Sequence, residues 1–233
     1  MTRKLKLEPP FFEIGPKNYL FGDDILDLAR IADEAAEKYS VRVIFTSPYA
    51  NIERVAGSVK HLKVFAPHMD DIPVGRGLAC VLPESLKAVG AAGVLLNHSE
   101  CPLPLSTLIR TIQRARELDM LAMVCADSMP ETRAVAQLSP DLMITEPADL
   151  IGTAQAVDIS YVSAVMDAVK DINPDIGILV GGGVNSGTDV YNIIMAGADA
   201  TGSSSGIIKA GDPEAMVREM LAALRAAWDE RHR

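Results

Sequence analysis

Three side chains that lie far apart in this sequence have the chemical types needed to move a proton next to a carbonyl group. Glu146 offers a carboxylate to remove the proton, His98 an imidazole to polarise the carbonyl oxygen, and Lys17 a cation to stabilise the developing negative charge. Each also has an ordinary interpretation: a strand-ending and helix-capping acid, a loop histidine and an exposed lysine. The choice between the two interpretations depends on the strands, helices and loops that position these side chains.

Glu146 directly follows an apolar run, residues 142–145, which is typical of a buried parallel strand. Pro147 comes next, and Gly152-Thr153 follows a few residues later, which is the composition of a loop that can move. In an α/β barrel, a carboxylate at the C-terminal end of a strand and before a hinged loop occupies the place of a proton-abstracting base.

His98 follows another apolar run and precedes a predicted helix that has Pro102 and Pro104 near its start. An imidazole near a helix start has its pKa lowered, so it can act as a neutral hydrogen-bond donor. Glu100 is compatible with two roles, as a cap for that helix or as a second carboxylate near Lys17.

Two glycine-rich turns have the composition of a phosphate site. Residues 181–187 (GGGVNSG) follow the seventh predicted strand, and residues 202–206 (GSSSG) follow the eighth. Glycine lets backbone N–H groups approach an anion, although a tight turn between a strand and a helix needs glycine whatever it binds. Two such turns in the seventh and eighth loops favour phosphate binding. The first turn contains no Lys or Arg, so backbone dipoles would hold the phosphate there.

Eight apolar runs alternate with eight helical patterns along the chain. The predicted strands are residues 11–14, 41–46, 62–66, 93–97, 121–125, 142–145, 176–180 and 199–202. The predicted helices are residues 24–39, 51–59, 83–89, 105–118, 130–137, 159–171, 189–196 and 213–230. Eight βα units with short connections predict an α/β fold, a single (β/α)8 TIM barrel over residues 1–233. A doubly wound open sheet has the same local pattern and remains the alternative.

Composition limits the possible partners. The 233 residues are 48% hydrophobic with a net charge of −9, which argues against a nucleic-acid partner. No apolar run reaches the roughly 18 residues that would span a bilayer, which argues against a membrane partner. Glu8-Pro9-Pro10 follows the basic start where a signal peptide would have an apolar core. Three cysteines without metal-type or redox spacing predict reduced thiols in a cytoplasmic protein.

Four segments, in this order, resemble the triosephosphate isomerase family, particularly its short archaeal-type branch. They are residues 94–100 (VLLNHSE), 146–153 (EPADLIGT), 181–184 (GGGV) and 204–209 (SSGIIK). The joint presence of NHSE and EPxxLIGT is specific, whereas the glycine turns alone are not. The similarity runs from about Ile14 to the last predicted helix.

The resemblance implies an aldose–ketose isomerase of glycolysis that interconverts glyceraldehyde 3-phosphate and dihydroxyacetone phosphate through an enediolate. It makes Glu146 the base, His98 the electrophile, Lys17 the electrostatic residue and Glu100 a supporting acid, with residues 147–156 as a lid. It also places the phosphate against a set of backbone groups: Ile151, Gly152, Gly183, Ser204 and Ser205. The family needs no metal and no organic cofactor, and the resemblance suggests a homodimer or homotetramer.

The chain departs from the family pattern in two loops. The family's Asn-x-Lys is Gly15-Pro16-Lys17 here, so the substrate-contacting asparagine is absent and open space is expected beside the reacting carbons. The third loop reads Ala66-Pro67-His68 in place of Ala-Gln-His or Ala-Gln-Asn, and Leu78-Ala79 replaces a Thr-Gly that meets a neighbouring subunit. In the family, the threonine normally supports the substrate-contacting asparagine across the subunit contact. The loss of both residues is therefore interpreted as a single change. His68 is interpreted as shaping the subunit contact and not as catalytic.

Three functions remain open from the sequence. The first is isomerisation of the two triose phosphates. The second is the same chemistry on another short sugar phosphate, such as a four-carbon ketose phosphate that uses the room at Gly15. The third is a phosphate-ligand binding protein that has lost turnover, which is disfavoured because a binder needs no base.

Overall fold

Eight parallel strands close into a barrel in a computed structural model that describes residues 7–150 and 155–233 of the chain. The strands are β1 (Phe11–Ile14), β2 (Arg42–Thr46), β3 (Leu62–Ala66), β4 (Gly93–Leu96), β5 (Leu121–Ala126), β6 (Leu142–Thr145), β7 (Gly177–Val180) and β8 (Ala200–Ser203). Each strand pairs with the next, and β1 also pairs with β8, where Phe11 lies opposite Ala200. The predicted α/β barrel is confirmed, and the open-sheet alternative is wrong.

Helices connect successive strands and form the outer layer. In the described residues they are α1 (Asp23–Tyr39), α2 (Ile52–Ala56), α3 (Pro83–Ala88), α4 (Leu105–Glu117), α5 (Met129–Gln137), α6 (Ile159–Lys170), α7 (Gly187–Met195), α8 (Ser205–Ile208) and α9 (Pro213–Arg231). Short 3-10 turns at Tyr49–Asn51 and Ala148–Leu150 follow β2 and β6. No helix in these parts of the chain is both long enough and apolar enough to cross a membrane.

Local capping determines where several helices begin. Ser186 caps α7, and its hydroxyl accepts a hydrogen bond from the backbone N–H of Asp189. The hydroxyl also donates to the Asp189 carboxylate at 2.9 Å. This pairing satisfies N–H groups of the first turn, so α7 starts two residues before the predicted residue 189. The four-residue helix α8 was not predicted, since it is too short to show helical periodicity.

The barrel interior is filled by inward-facing apolar side chains. On β1, Phe11 belongs to this interior cluster, whereas Phe12 and Ile14 pack with the layer between the strands and the helices. The alternation of side chains along a strand therefore directs Glu13 inward, like Phe11. One interior position near the C-terminal end of the barrel thus carries a carboxyl group.

Candidate active site

A cavity of about 590 Å³ lies at the C-terminal ends of the strands, where α/β barrels place their active sites. Its wall includes all of the predicted site residues that the structure describes: Gly15, Lys17, His98, Glu100, Glu146, Gly183, Ser204 and Ser205. Ile151 and Gly152, the other two predicted phosphate-binding residues, lie outside the described residues. The structure thus brings together residues that are as far apart in the sequence as Gly15 and Ser205.

Lys17 and Glu100 form an ion pair across the cavity mouth. The Lys17 Nζ atom donates a hydrogen bond of 2.9 Å to Glu100 Oε1, and this contact lowers the pKa of the Glu100 carboxyl. Lys17 has a positive φ of 49°, an uncommon conformation for a residue with a side chain and one that often marks a functional site. Of the two roles open to Glu100, the geometry supports the carboxylate beside Lys17, because α4 begins only at Leu105.

His98 is held as a hydrogen-bond donor toward the cavity. The backbone N–H of Glu100 donates to His98 Nδ1 at 3.1 Å, so Nδ1 must present a lone pair and the ring proton of the neutral imidazole lies on Nε2. Burial lowers the pKa of His98, and the nearby charge of Lys17 lowers it further, while Glu100 opposes the change. The predicted neutral state is thus supported, but burial and Lys17 are its causes here rather than the distant start of α4.

Asn97, which the sequence did not single out, anchors the turn that carries His98. Its side-chain amide donates to the carbonyl oxygen of Cys125 at 3.0 Å and to Glu131 Oε1 at 2.9 Å. Its side-chain oxygen accepts a hydrogen bond from the N–H of Leu103 at 2.9 Å. Asn97 is buried and has a φ of 58°. A polar residue at the end of an apolar strand, inside the motif VLLNHSE, is the sequence feature that could have indicated it.

Glu146 lies directly after β6, where its backbone N–H donates to the carbonyl oxygen of Ala126 at 3.1 Å. Burial raises the pKa of its carboxyl, Lys17 acts in the opposite direction, and Glu100 adds to the increase. Glu146 Oε1 lies 3.6 Å from the place that a side chain on Gly181 would take, so the carboxyl adjoins the first glycine turn. A carboxylate with a raised pKa is a stronger base at the end of a cavity that contains a cation.

The two glycine-rich turns pack against each other beside this carboxyl. Gly182 and Gly183 have φ values of 108° and 67°, which glycine adopts without strain. The Ser203 hydroxyl donates to the carbonyl oxygen of Val184 at 2.8 Å, and this bond joins the turn after β7 to the turn after β8. Ser204 and Ser205 stand at the start of α8. Closely packed glycine turns, whose backbone can approach an anion, form a surface suited to a phosphate.

Glu13 is a residue of the cavity that sequence reasoning missed. Its Oε1 atom accepts a hydrogen bond of 2.6 Å from the Thr46 hydroxyl, and it lies 2.8 Å from the place that a Cβ atom on Gly15 would occupy. The open space predicted beside Gly15 is therefore wrong, since the Glu13 carboxyl stands there. The feature that could have found it is a single acid at an inward position of an apolar strand.

Glu13 should make the folded protein less stable as the pH rises. Burial raises the pKa of its carboxyl from 4.5 to about 7; the Thr46 hydrogen bond and Lys17 act against this increase, while Glu146 adds to it. The thiol of Cys125, whose pKa burial also raises, lies nearby as well. Between pH 4.5 and pH 7 the folded state holds the Glu13 proton more tightly than the unfolded state does. The free energy of unfolding therefore falls by roughly 3 kcal/mol from pH 4.5 to pH 7.

Urea unfolding of the wild type and of Glu13→Gln at pH 5 and pH 8 measures this effect. Gln cannot ionise, so the decrease should be smaller in the variant, although Glu146 contributes a decrease of the same sign in both proteins. Glu37→Gln, an exposed carboxylate in the last turn of α1, is the control and should behave like the wild type. Equal decreases in the wild type and Glu13→Gln would contradict the prediction.

The third loop, residues 67–82, forms another part of the cavity wall through His68. The imidazole Nε2 of His68 lies 3.4 Å from Asp70 Oδ1, and Asp70 Oδ2 accepts a hydrogen bond of 2.6 Å from the N–H of Val81. Asp70 therefore closes the loop on itself. Further along, Leu78 is completely exposed. The contact of this loop with a neighbouring subunit stays a prediction.

The described residues contain no group of three or more His, Cys, Asp or Glu side chains arranged to hold a metal ion. The expectation that no metal or organic cofactor is needed stays a prediction. A closed barrel with a carboxyl group, an imidazole, a lysine and two glycine turns at the C-terminal ends of its strands defines this chain as a (β/α)8-barrel protein with a candidate acid–base site.

Comparison with known proteins gives the family. The sequence model of triosephosphate isomerase matches residues 18–220. The chain is 33% identical to the triosephosphate isomerase of Saccharolobus solfataricus over 94% of this chain and 99% of that protein. It is 34% identical to the triosephosphate isomerase of Methanosarcina mazei over 91% of this chain and 97% of that protein. This chain belongs to the triosephosphate isomerase family.

A solved structure supports the fold independently. The crystal structure of triosephosphate isomerase from Bartonella henselae superposes with a TM-score of 0.72 and covers 93% of this chain and 98% of that one. The sequence identity in this comparison is only 15%, so it shows the shared barrel alone. The archaeal relatives agree with the branch that the sequence motifs indicated.

Proposed function

We propose that this chain interconverts glyceraldehyde 3-phosphate and dihydroxyacetone phosphate by proton transfer through an enediolate. The observation that carries the proposal is the convergence of Glu146, His98 and Lys17 on one cavity, beside two packed glycine turns. Their chemical types match the three requirements of the reaction: a base, a donor for the carbonyl oxygen and a cation for the enediolate. The family names of the relatives support the same reaction.

In this mechanism the Glu146 carboxylate removes a proton from the carbon next to the carbonyl group and returns it to the neighbouring carbon. The Nε2–H of His98 donates to the substrate oxygens: the imidazole gives its proton to the carbonyl oxygen and takes one from the hydroxyl oxygen, so the two oxygens exchange roles. Lys17 stabilises the negative charge that develops on them. The division between a Glu base and a neutral His follows the general mechanism of triosephosphate isomerase itself. The phosphate lies against the backbone of Gly183, Ser204 and Ser205, and of Ile151 and Gly152 in the proposed lid, residues 147–156.

A coupled assay with both triose phosphates and a tetrulose phosphate tests the proposal. We expect kcat/KM to be higher for the triose phosphates, because the Glu13 carboxyl takes up space that a longer carbon chain would need beside Gly15. A strong preference for the tetrulose phosphate would replace the proposed substrate but keep the chemistry. Binding without turnover of either substrate would instead favour the phosphate-ligand binding protein.

We also propose that the enzyme is a homodimer or a homotetramer in the cytoplasm. The family resemblance supports self-association, and so does the third loop, where Leu78 is fully exposed and Val74 is 69% exposed. All three cysteines are free thiols, which fits a reducing compartment.

A further inference from the structure

The Glu13 carboxyl is unusual for its place in the barrel. The interior cluster around it consists of apolar residues such as Phe11, Ile44 and Leu179. A carboxyl group in such a place costs free energy, which the hydrogen bond from Thr46 only partly offsets. Charged groups that disturb an otherwise apolar core occur mainly at functional sites. The position of Glu13 therefore calls for a functional explanation.

Two glycines leave room for Glu13. A Cβ atom on Gly15 would lie 2.8 Å from Glu13 Oε1. One on Gly202 would lie 2.7 Å from the backbone oxygen of Glu13, 3.0 Å from its Cβ and 3.3 Å from Oε2. A side chain at position 15 would thus have to displace the carboxyl. The Glu13 carboxyl therefore occupies the space that a side chain at position 15 would fill, on the loop that carries Lys17.

Glu13 also faces the same volume as the reacting groups. It lines the cavity together with Lys17, His98 and Glu146, and its charge interacts with those of Lys17 and Glu146. Thr46, which belongs to the same wall, binds Oε1 and so fixes the orientation of the carboxyl. Within the described part of the chain, Oε2 accepts no hydrogen bond. One oxygen is therefore used for positioning, and the other is left for a ligand.

We propose that Glu13 is a further substrate-contacting residue, whose carboxyl group hydrogen-bonds a carbonyl or hydroxyl oxygen of the bound sugar phosphate in the space beside Gly15. The inference rests on the proposed function for the identity of the substrate, but the contact itself requires only an oxygen-bearing carbon chain attached to the phosphate. An aldose–ketose conversion turns a carbonyl into a hydroxyl and the reverse. A carboxyl group suits both, since it donates when protonated and accepts when ionised.

The environment of Glu13 allows both forms near neutral pH. Burial raises the pKa of Glu13 to about 7. The groups that face it are Lys17 from the same strand end, Glu146 from β6 and the thiol of Cys125 from β5, which burial keeps neutral. Substrate affinity should consequently change with pH around neutrality in a way that depends on Glu13.

Binding measurements in the Glu146→Gln background test the inference, because ligand then remains unconverted. Calorimetry would compare dihydroxyacetone phosphate with inorganic phosphate, with and without a second change, Glu13→Leu. Loss of a hydrogen bond to a charged group should weaken dihydroxyacetone phosphate binding by roughly 10- to 100-fold. Inorganic phosphate, which has no carbon chain, should bind equally well to both proteins. Glu13→Gln should lose less affinity and should lose the pH dependence around pH 7.

Asp199→Asn is the matched control, since Asp199 is a largely buried carboxylate that pairs with Lys170 before the start of β8. It should leave both affinities unchanged. Equal dihydroxyacetone phosphate affinity with Glu and Leu at position 13, or a parallel loss for both ligands, would show a merely structural role and overturn the inference. The inference would also be overturned if the protein with Glu at position 13 bound dihydroxyacetone phosphate no more tightly than inorganic phosphate.

Turnover of the wild type separates this inference from the proposed function. If the wild type has no isomerase activity but binds dihydroxyacetone phosphate in a way that depends on Glu13, the proposed reaction is rejected and the substrate contact of Glu13 is retained. If isomerase activity is normal and Glu13→Leu binds dihydroxyacetone phosphate as before, the reaction is retained and the contact is rejected.

Discussion

Replacing Glu146 by Gln is expected to lower kcat for triose phosphate interconversion by roughly 100- to 10,000-fold, the contribution of a positioned general base. Gln has nearly the size of Glu but cannot accept the proton. Phosphate binding should be nearly unchanged, because the glycine turns provide it through their backbone. Steady-state kinetics give kcat, and calorimetry with inorganic phosphate gives the affinity. In the wild type, kcat/KM should fall as the pH drops through the raised pKa of Glu146, since a protonated carboxyl is no base.

Two further variants make this result specific. Glu146→Asp keeps the charge but moves the carboxylate back by one methylene, so it should retain more activity than Gln. Glu37→Gln removes an exposed carboxylate at the opposite end of the barrel and should keep wild-type kinetics. Thermal melting would check that each protein is folded. Wild-type activity in Glu146→Gln would mean that another group removes the proton.

Replacing Lys17 by Met should lower kcat/KM by roughly 100- to 1,000-fold, the usual loss when a preorganised group that stabilises developing negative charge is removed. Met keeps most of the length of the side chain but has no charge to stabilise the enediolate. Folding should be little affected, because Glu100, its ion-pair partner, is 64% exposed and water can replace the lysine. Steady-state kinetics on both triose phosphates measure the change.

Lys60→Met is the matched control, because Lys60 is exposed and lies just before β3, at the other end of the barrel. It should leave kcat/KM at the wild-type value. Glu100→Gln should cause a smaller loss than Lys17→Met, since it removes the positioning contact and keeps the cation. If Lys60→Met and Lys17→Met lose activity equally, the loss does not reflect charge stabilisation in the cavity.

Most of the barrel could be predicted because its strands are apolar on both faces and its helices have clear start signals. The bounds of β1, β3 and β6 agree with the predicted residues 11–14, 62–66 and 142–145. The remaining strands differ by a single residue at one or both ends. Helix α8 was missed because a four-residue helix has no period to detect. Its position depends on the packing of the turn after β8 against the turn after β7.

The sequence predicts a site residue only where a residue with distinctive chemistry directly follows an apolar strand. Lys17, His98 and Glu146 were found because their chemistry is distinct and each follows an apolar strand. The content of the space beside Gly15 was predicted wrongly, since it depends on a side chain two positions earlier that reaches along the barrel interior. The cause of the neutral imidazole at His98 was also misjudged, because desolvation in a cavity is a property of the folded chain.

The segment after Glu146 returns to the site at Gln155 and packs there against the turn after β7. The carbonyl group of Gln155 stands where a side chain on Gly183 would project, so these two stretches of main chain touch with nothing between them. A side chain at position 183 would therefore require the main chain at Gln155 to move. In the proposed function, this contact joins the phosphate-binding turn after β7 to the end of the segment that follows the proposed base, Glu146. Evolution of this enzyme toward bulkier ligands would have to remodel both stretches at once.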